Sequence, residues 1–322
     1  MDTNVTVIIL ILAAILDYLI GDPWGWLHPV QVMGWFISRY CNFVLSICQG
    51  RWLRRWAGVI LGLGLILSSG SLGWSISLIK YHLYPFLGIT LEIILLASCF
   101  AGRSLRLAAL DVLTPLTQGN IDLARSKLSQ YVGRDTANLS KEEIWRAVLE
   151  TVSENATDGV TAPLFYAIAG AFFPGVSSVS LALAYKAAST LDSTIGYQQE
   201  PFRDIGYFSA KLEDILTWFP CRLTVLTLAI LSRKPGVVLG ICRRDAPQDP
   251  SPNSGWSECI YAAILGVQLG GKNTYQGVIK EKALLGDPLN PITSNTIDEA
   301  LKLTRICCLL WLGLGVSGLC LV

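Results

Sequence analysis

The chain has 322 residues, of which 52% are hydrophobic and only 15% are charged, and its formal net charge is +1. Soluble domains carry about 25% charged residues, so this composition, with a mean hydropathy of +0.48, indicates an integral membrane protein. It excludes intrinsic disorder, and the near-zero charge excludes a basic nucleic-acid-binding protein.

The apolar residues are gathered in blocks, which predict an all-α, multi-pass integral membrane protein with a single membrane-embedded domain. A helix needs about 20 residues to cross the roughly 30 Å hydrocarbon core of a bilayer. The blocks lie near residues 5–20, 57–79, 84–101, 160–185, 212–231 and 306–322. Pro174 and Gly175 interrupt the fourth block, which is compatible with one span or with a hairpin. The apolar segment Cys259–Gly271 is too short to span and is expected to be re-entrant or interfacial.

The charges in the connecting loops predict the orientation of the chain. Arg51, Arg54 and Arg55 crowd the first long loop, and cytoplasmic loops are enriched in Lys and Arg. Residues 102–159 carry further basic side chains and are predicted to form a helical cytoplasmic insert. The protein is thus expected in the cytoplasmic membrane, with an active site built from polar segments that face the cytoplasm.

One helix of this insert has a clear start signal. Ser140 is followed three residues later by Glu143, which is the spacing of a capping box. Arg146 and Glu150 are four residues apart on this helix and are expected to form a solvated surface pair. Glu154 follows Glu150 at the same spacing, so the helix carries a row of carboxylates on one face.

The insert ends in the sequence ENATDG, which is rich in oxygen ligands. Glu154, Asn155 and Asp158 supply two carboxylates and an amide within five residues. Mg²⁺ prefers such hard ligands and completes its shell with water and phosphate. We therefore predict a magnesium site here, and a helix end with acidic caps is the alternative explanation.

A second polar segment, KAASTLDSTIGY, follows the fourth apolar block. Lys186 and Asp192 stand there among hydroxyl side chains that include Ser189 and Thr190. A lysine with hydroxyls can bind phosphate, and the aspartate can add a metal ligand. A lysine that extends its ammonium into the headgroup region, beside a polar turn, is the alternative.

Two X-Pro steps follow the first apolar block, at Asp22-Pro23 and His28-Pro29. The residue before a proline is held in an extended or turn conformation. Asp22 and His28 are therefore expected at the membrane surface, where either can accept a proton. An ordinary polar turn is the alternative.

The segment RRDAPQDPSPNSGW, residues 243–256, contains three prolines and is predicted to be a non-helical polar loop. A stiff loop loses little entropy when it binds a ligand. Arg243 and Asp245 are the candidates for contacts with charged groups, and Ser251, Asn253 and Trp256 for other substrate contacts. A membrane-exit linker whose basic residues contact lipid headgroups is the alternative.

Four motifs occur in order along the chain: GDP(x)4HPV, ENxxDGxxxPL, KAxSTLDS and RRDAxxxxSPNSGW. In these motifs the sequence resembles the adenosylcobinamide-phosphate synthases of cobalamin biosynthesis, the CobD/CbiB family. The resemblance extends from Asp17 to about Gly286. One departure is that Asp249 stands where the family is expected to have a histidine, so Asp249 receives no catalytic role.

The resemblance implies an ATP-dependent amide ligase. Members of the family join the propionate carboxylate of adenosylcobyric acid to (R)-1-amino-2-propanol O-phosphate, or in some members to aminopropanol, and form adenosylcobinamide phosphate. ATP and Mg²⁺ are the implied consumed or assisting species, without a tightly bound prosthetic group. The lipid bilayer is an expected partner, nucleic acid is not, and other cobalamin-assembly enzymes or a homo-oligomer are further candidates.

For this chemistry we predict that the metal is bound by Glu154, Asn155, Asp158 and Asp192 and that the phosphates are neutralised by Lys186 and Arg243. Asp245 or Asn253 is predicted to orient a substrate, and His28 or Asp22 to accept the proton of the amine.

Two other classes of function fit parts of the sequence. A secondary transporter would explain Asp17, Glu92 and Arg222, which lie within or near apolar blocks, and the block broken at Pro174. A Mg-dependent membrane transferase of the prenyltransferase type would explain two acidic motifs. Neither explains the polar segments as a set, and the ligase is the preferred prediction.

Overall fold

The structure is a computed structural model in which residues 3–21 and 28–321 are described. These residues are mostly helical, and the prediction of an all-α membrane protein is confirmed, with one small β-hairpin added. The helices are α1 Thr3–Leu19, α2 Pro29–Ile47, α3 Arg51–His82, α4 Pro85–Ala97, α5 Gly102–Thr117, α6 Ile121–Leu128, α7 Lys141–Asn155, α8 Ala162–Phe172, α9 Ser178–Ile195, α10 Tyr207–Leu231, α11 Pro235–Asp245, α12 Ser254–Leu265 and α13 Ser294–Leu319.

Among the described residues, four helical segments are long and apolar enough to cross a membrane. They are Arg51–Lys80, Pro85–Thr117, Tyr207–Leu231 and Ser294–Leu319. Each of the four segments contains all or most of one predicted apolar block. The helix α1 is also apolar but shorter. The chain is therefore a multi-pass membrane protein.

The fourth apolar block is a helical hairpin. It forms α8 and α9, which pack against each other, and the chain turns between Phe172 and Ser178. Gly175 in this turn has a φ of 80°, a value at which glycine avoids the strain of a side chain. The Pro174-Gly175 break thus marks a reversal of the chain and not a kink within one span.

The chain divides into two compact units. The first unit comprises Met1–Arg103, Ala162–Thr217 and Leu310–Val322, and the second comprises Ser104–Thr161 and Trp218–Leu309. The core of the first unit lies between α2, α3 and α9, where Ile37, Leu61, Leu191 and Ile195 are fully or almost fully buried.

The first unit also buries an ion pair between α3 and α4. The Lys80 Nζ lies 2.6 Å from the Glu92 Oε2, and both side chains are less than a tenth exposed. Ser77 donates a further hydrogen bond to the same carboxylate. Because an unpaired charge is costly in an apolar interior, this pair joins the two helices.

The second unit contains an insertion that the sequence analysis did not predict, an antiparallel hairpin of β1 Leu269–Tyr275 and β2 Val278–Leu285. The backbone N–H groups of Gln276 and Gly277, in the turn of the hairpin, donate to the Asp135 carboxylate. The segment Cys259–Gly271 is therefore not one apolar element, since it divides between the end of α12 and the start of β1.

The Pro-rich segment is also more ordered than predicted. Its first three residues end α11, and a 3₁₀ turn over Ala246–Gln248 and then the start of α12 at Ser254 follow. The prediction of a non-helical loop over residues 243–256 is wrong at both ends. Proline is tolerated in the first turn of a helix, where its missing N–H needs no partner, so the prolines separate two helices without preventing them.

Replacing Glu92 by Gln is expected to lower the free energy of unfolding by about 3–5 kcal/mol, because Lys80 stays buried without its counter-ion. The double variant Lys80→Met/Glu92→Leu leaves no buried charge and should recover most of this loss. Unfolding in mixed micelles measures both. Glu299→Gln, at an exposed pair with Lys302, is the control and should cost under about 1 kcal/mol. Equal losses in the single and double variants would contradict the assignment.

Candidate active site

Two of the sequence motifs meet in the second unit. The Ser257 hydroxyl, on α12, donates to the Ser153 carbonyl of α7 at 2.6 Å and is hydrogen-bonded to the Thr157 hydroxyl at 2.7 Å. Thr157 lies in a π-helical turn, Ala156–Thr161, that continues α7. The ENATDG segment and the SPNSGW segment are therefore held side by side, although about 100 residues separate them.

A lysine from β2 joins the acidic side chains of these two segments. The Lys282 Nζ lies 2.6 Å from the Glu258 Oε1 and 3.8 Å from the Asp249 Oδ2. Glu154 is close enough to interact electrostatically with both Lys282 and Asp249. We call Glu154, Asp249, Glu258 and Lys282 the carboxylate–lysine cluster.

The charges of the carboxylate–lysine cluster perturb one another. Burial raises the pKa of Glu258 well above its usual range, and the neighbouring carboxylate of Glu154 adds to this against the opposing charge of Lys282. Burial likewise raises the pKa of Glu154. Burial would lower the pKa of Lys282, but the carboxylates of Glu258, Glu154 and Asp249 outweigh it and the net shift is upward. The cluster thus holds more carboxylate than its lysine neutralises.

A second network lies on the same helix. Glu150 is 2% exposed, its Oε2 accepts a hydrogen bond from Arg134 at 2.5 Å, and its Oε1 accepts one from the Gly270 N–H at 2.8 Å. Arg134 and Arg146 both donate to the Asn273 side chain on β1. The prediction that Arg146 and Glu150 form a solvated pair is wrong, because the β-hairpin covers this face of α7.

Asp245 is fixed at the end of α11. Arg244 donates to both of its oxygens, and the Gly286 N–H donates to Oδ2 at 2.9 Å. These contacts, the Arg244 guanidinium first, hold the pKa of Asp245 below its usual range. Arg244 also pairs with Asp287 at 2.7 Å, while Arg243 is exposed.

The predicted substrate-binding residues of the SPNSGW segment take part in local structure. The Ser251 Oγ accepts hydrogen bonds from the backbone N–H groups of Asn253 and Ser254, and Asn253 is the N-cap of α12. Trp256 packs on the Arg222 guanidinium, whose carbon lies 4.5 Å from the ring centroid. The Asp249 Oδ1 accepts from the Ser251 N–H, so local hydrogen bonds hold the conformation of the segment.

The predicted magnesium ligands of the ENATDG segment lie at the junction of α7 and the π-helical turn. Glu154 and Asp158 are one helical turn apart and partly buried, whereas Asn155 is exposed and its Nδ2 donates to the Thr151 carbonyl. Among residues 3–21 and 28–321, no group of three or more His, Cys, Asp or Glu side chains is placed to hold a metal. The two carboxylates fit a Mg²⁺ that takes most of its ligands from water and phosphate, and the excess negative charge at Glu154 favours a cation.

The KAASTLDS residues lie on α9, in the first unit. Lys186, Ser189 and Asp192 follow at three-residue spacing and so lie along one stripe of the helix. The Thr190 hydroxyl donates to the Lys186 carbonyl at 2.7 Å, within the helix. A role of Lys186 and Asp192 toward phosphate and metal stays a prediction.

The GDP(x)4HPV motif is only partly described. Asp22 lies outside the described residues. His28 is the N-cap of α2, and its Nδ1 accepts from the Val30 N–H at 3.3 Å. This contact defines a structural role, and proton transfer by His28 stays a prediction.

Sequence reasoning missed Glu258, Lys282 and Arg134. Glu258 lies two residues after the SPNSGW segment, at the start of an apolar run, and none of the four motifs includes it. Lys282 stands in the alternating run KEK, which is typical of a solvated strand or helix face. Gly277, after a run of polar and aromatic residues, was the available hairpin signal. Only the hairpin brings Lys282 to the acidic side chains.

Comparisons with known proteins agree over nearly the whole chain. A family model described as CobD/Cbib protein matches residues 10–304. The cobalamin biosynthesis protein CobD of Synechocystis sp. is 53% identical, over 97% of this chain and 92% of that protein. CobD of Halalkalibacterium halodurans is 43% identical, over 92% of this chain and 91% of that protein. CbiB of Salmonella arizonae is 36% identical over 98% of each chain. No solved structure gives a significant match.

Replacing Asp245 by Asn is expected to destabilise the protein by about 1 kcal/mol at pH 7, because an uncharged amide oxygen accepts from the buried Gly286 N–H more weakly than the carboxylate does. The Arg244 side chain is half-exposed and screened, so its loss as a partner adds little. A carboxyl whose pKa is lowered by folding stabilises the protein above its unfolded pKa of about 3.9, and this contribution is lost as the pH falls through the folded value. The difference between wild type and variant should therefore shrink below about pH 4.

Unfolding measured from pH 3 to pH 8 checks this expectation, with the exposed Asp298→Asn as the control. A destabilisation of the Asp245 variant that does not change with pH would contradict the role of the charge.

Proposed function

The chain belongs to the CobD/CbiB family of cobalamin biosynthesis proteins, and on this premise we propose that it is an ATP-dependent amide ligase. The proposed reaction joins the propionate carboxylate of adenosylcobyric acid to the amine of (R)-1-amino-2-propanol O-phosphate, or of aminopropanol. The product is adenosylcobinamide phosphate when the amine carries phosphate.

The observation that carries the proposal is the meeting of two motifs at the carboxylate–lysine cluster. An amide ligase must bind anionic phosphates, a metal cation and an amine within a few ångströms of one another. The second unit concentrates buried carboxylates with Lys282 and Arg134 in one region, and such perturbed ionisable groups are typical of functional sites.

The proposed chemistry begins with activation, since a carboxylate is a poor electrophile. A carboxylate oxygen bonds to the γ-phosphorus of ATP while the bond from that phosphorus to the β-γ bridging oxygen breaks, and ADP leaves. The amine, after its ammonium form loses one proton, forms the C–N bond as the C–O bond to phosphate breaks. Inorganic phosphate leaves and the nitrogen releases a second proton. Attack on the α-phosphorus, which would end in AMP, is the alternative route.

Within this chemistry the protein chiefly positions groups and neutralises charge. We assign Glu154 and Asp158 to Mg²⁺, which when bound neutralises phosphate charge, with Asn155 as a further candidate. Arg243 is assigned to the phosphates. For Lys186 and Asp192, on α9, the roles toward phosphate and metal stay predictions from the sequence. Because ATP is cytoplasmic, the proposed site faces the cytoplasm from the cell membrane.

The three charged residues that suggested a secondary transporter have partners within the protein. Glu92 is paired with Lys80, and the Asp17 Oδ2 accepts from the Gly102 N–H at 3.2 Å. Arg222 donates to the Pro252 carbonyl at 2.8 Å and stacks on Trp256. These contacts account for the three charges without a transport pathway, which supports the ligase over the transporter.

The first test uses purified protein in nanodiscs with adenosylcobyric acid, aminopropanol phosphate and MgATP. We expect an amide product by mass spectrometry that depends on ATP, with ADP released. AMP release would replace the acyl phosphate by an acyl adenylate. No product with either amine, from protein that is folded, would overturn the ligase, and corrinoid uptake by proteoliposomes without ATP would establish the transporter.

Glu154→Gln is expected to lower kcat/KM by about 100-fold, which is the loss of some 3 kcal/mol of charge stabilisation at the metal. Glu142→Gln, an exposed position in the first turn of the same helix, is the matched control and should retain full activity. A Glu154 variant with normal turnover and normal dependence on Mg²⁺ would remove the metal assignment.

A further inference from the structure

Two carboxylate oxygens in the carboxylate–lysine cluster have their hydrogen-bonding capacity unused. Within the part of the chain that the structure describes, neither the Glu258 Oε2 nor the Asp249 Oδ2 has a hydrogen-bond partner. Glu258 is 0% and Asp249 9% exposed, so bulk solvent does not satisfy them. A buried carboxylate oxygen without a partner is costly, so a water, an ion or the donor group of a ligand is expected beside it.

Both oxygens belong to carboxylates that flank one ammonium. The Lys282 Nζ is bonded to the other oxygen of Glu258 at 2.6 Å and lies 3.8 Å from the Asp249 Oδ2. One lysine cannot neutralise Glu258, Asp249 and Glu154 together. The region therefore has an excess of negative charge and free acceptors, and its complement is a cation with hydrogen-bond donors.

The geometry favours an ammonium over a metal ion at these two oxygens. No set of three His, Cys, Asp or Glu side chains is suitably placed for a metal among the described residues. Lys282, 2.6 Å from Glu258, repels a divalent ion about twice as strongly as a singly charged ammonium at the same distance. An ammonium carries one charge and three donors. The cluster already accommodates a group of this kind, the side chain of Lys282 itself.

We propose that the Glu258 and Asp249 carboxylates bind the ammonium group of a small amine substrate beside Lys282. The inference rests on the proposed function, which requires an amine, and it identifies where that amine binds. Lys282 is a quarter exposed and Glu154 is partly exposed, so the cluster reaches the protein surface at these two side chains. Lys282 acts as a positioning residue, because it holds one oxygen of Glu258 and leaves the other for the ligand.

The test measures binding and needs no turnover. Wild-type protein in nanodiscs is titrated calorimetrically with (R)-1-amino-2-propanol O-phosphate, and separately with isopropyl phosphate, which has the phosphate but no amine. ATP and corrinoid are left out. We expect Glu258→Gln to weaken binding of the amine at least about tenfold, the usual effect of losing a charged hydrogen bond, and to leave binding of isopropyl phosphate unchanged.

Glu281→Gln is the matched control. It removes the same charge from an exposed side chain next to Lys282 on β2 and should bind the amine as wild type does. Asp249→Asn keeps the Glu258–Lys282 ion pair and therefore serves as the test if the Glu258 variant fails to fold. We expect it to weaken binding of the amine by about threefold or more and to leave binding of isopropyl phosphate unchanged.

Three results would overturn the proposal. The first is wild-type protein that does not bind the amine, and the second is a variant that weakens binding of both ligands equally. The third is unchanged amine binding in the folded Glu258 variant, or in the Asp249 variant if the Glu258 variant does not fold. Failure of the ligase itself is a separate result, because it appears as absent product from wild type even where the amine binds.

Discussion

Buried carboxylates in the second unit are neutralised by cationic side chains that lie on other segments of the chain. Lys282 reaches Glu258 from β2, and Arg134 reaches Glu150 from the segment before α7. Moving an unpaired carboxylate into a protein interior costs several kcal/mol. The helices α7 and α12 can therefore bury these acids only where the β-hairpin and the preceding loop supply positive charge.

The same constraint connects the fold to the proposed chemistry. Burial raises the pKa values of Glu154 and Glu258 against the opposing charge of Lys282, whereas the Arg244 guanidinium lowers the pKa of Asp245. The pairing is incomplete, and carboxylate oxygens beside Lys282 keep acceptor capacity. A site for phosphates, a metal and an amine needs this combination of fixed charges of both signs.

Local signals accounted for much of the secondary structure. The capping box at Ser140 and Glu143 is present as predicted, and the apolar blocks correspond to helices, because both depend on residues within one or two turns. Arg146 and Glu150 were misjudged as solvated, and the Pro-rich segment as non-helical. In both cases the deciding partner, the hairpin or the packing of α12, is distant in the sequence.

The sequence by itself determined the membrane class, the helical architecture, the family and the acidic ENATDG segment, because composition, periodicity and motif order are local properties. Tertiary structure alone decided that α8 and α9 form a hairpin, that Lys282 and Glu258 meet Glu154 and Asp249, and that Glu150 is buried. The contact of Lys282 with Glu258 joins residues 24 positions apart, and that of Gly270 with Glu150 joins residues 120 positions apart. The free energy of burying a charge is settled only when its partner is in place.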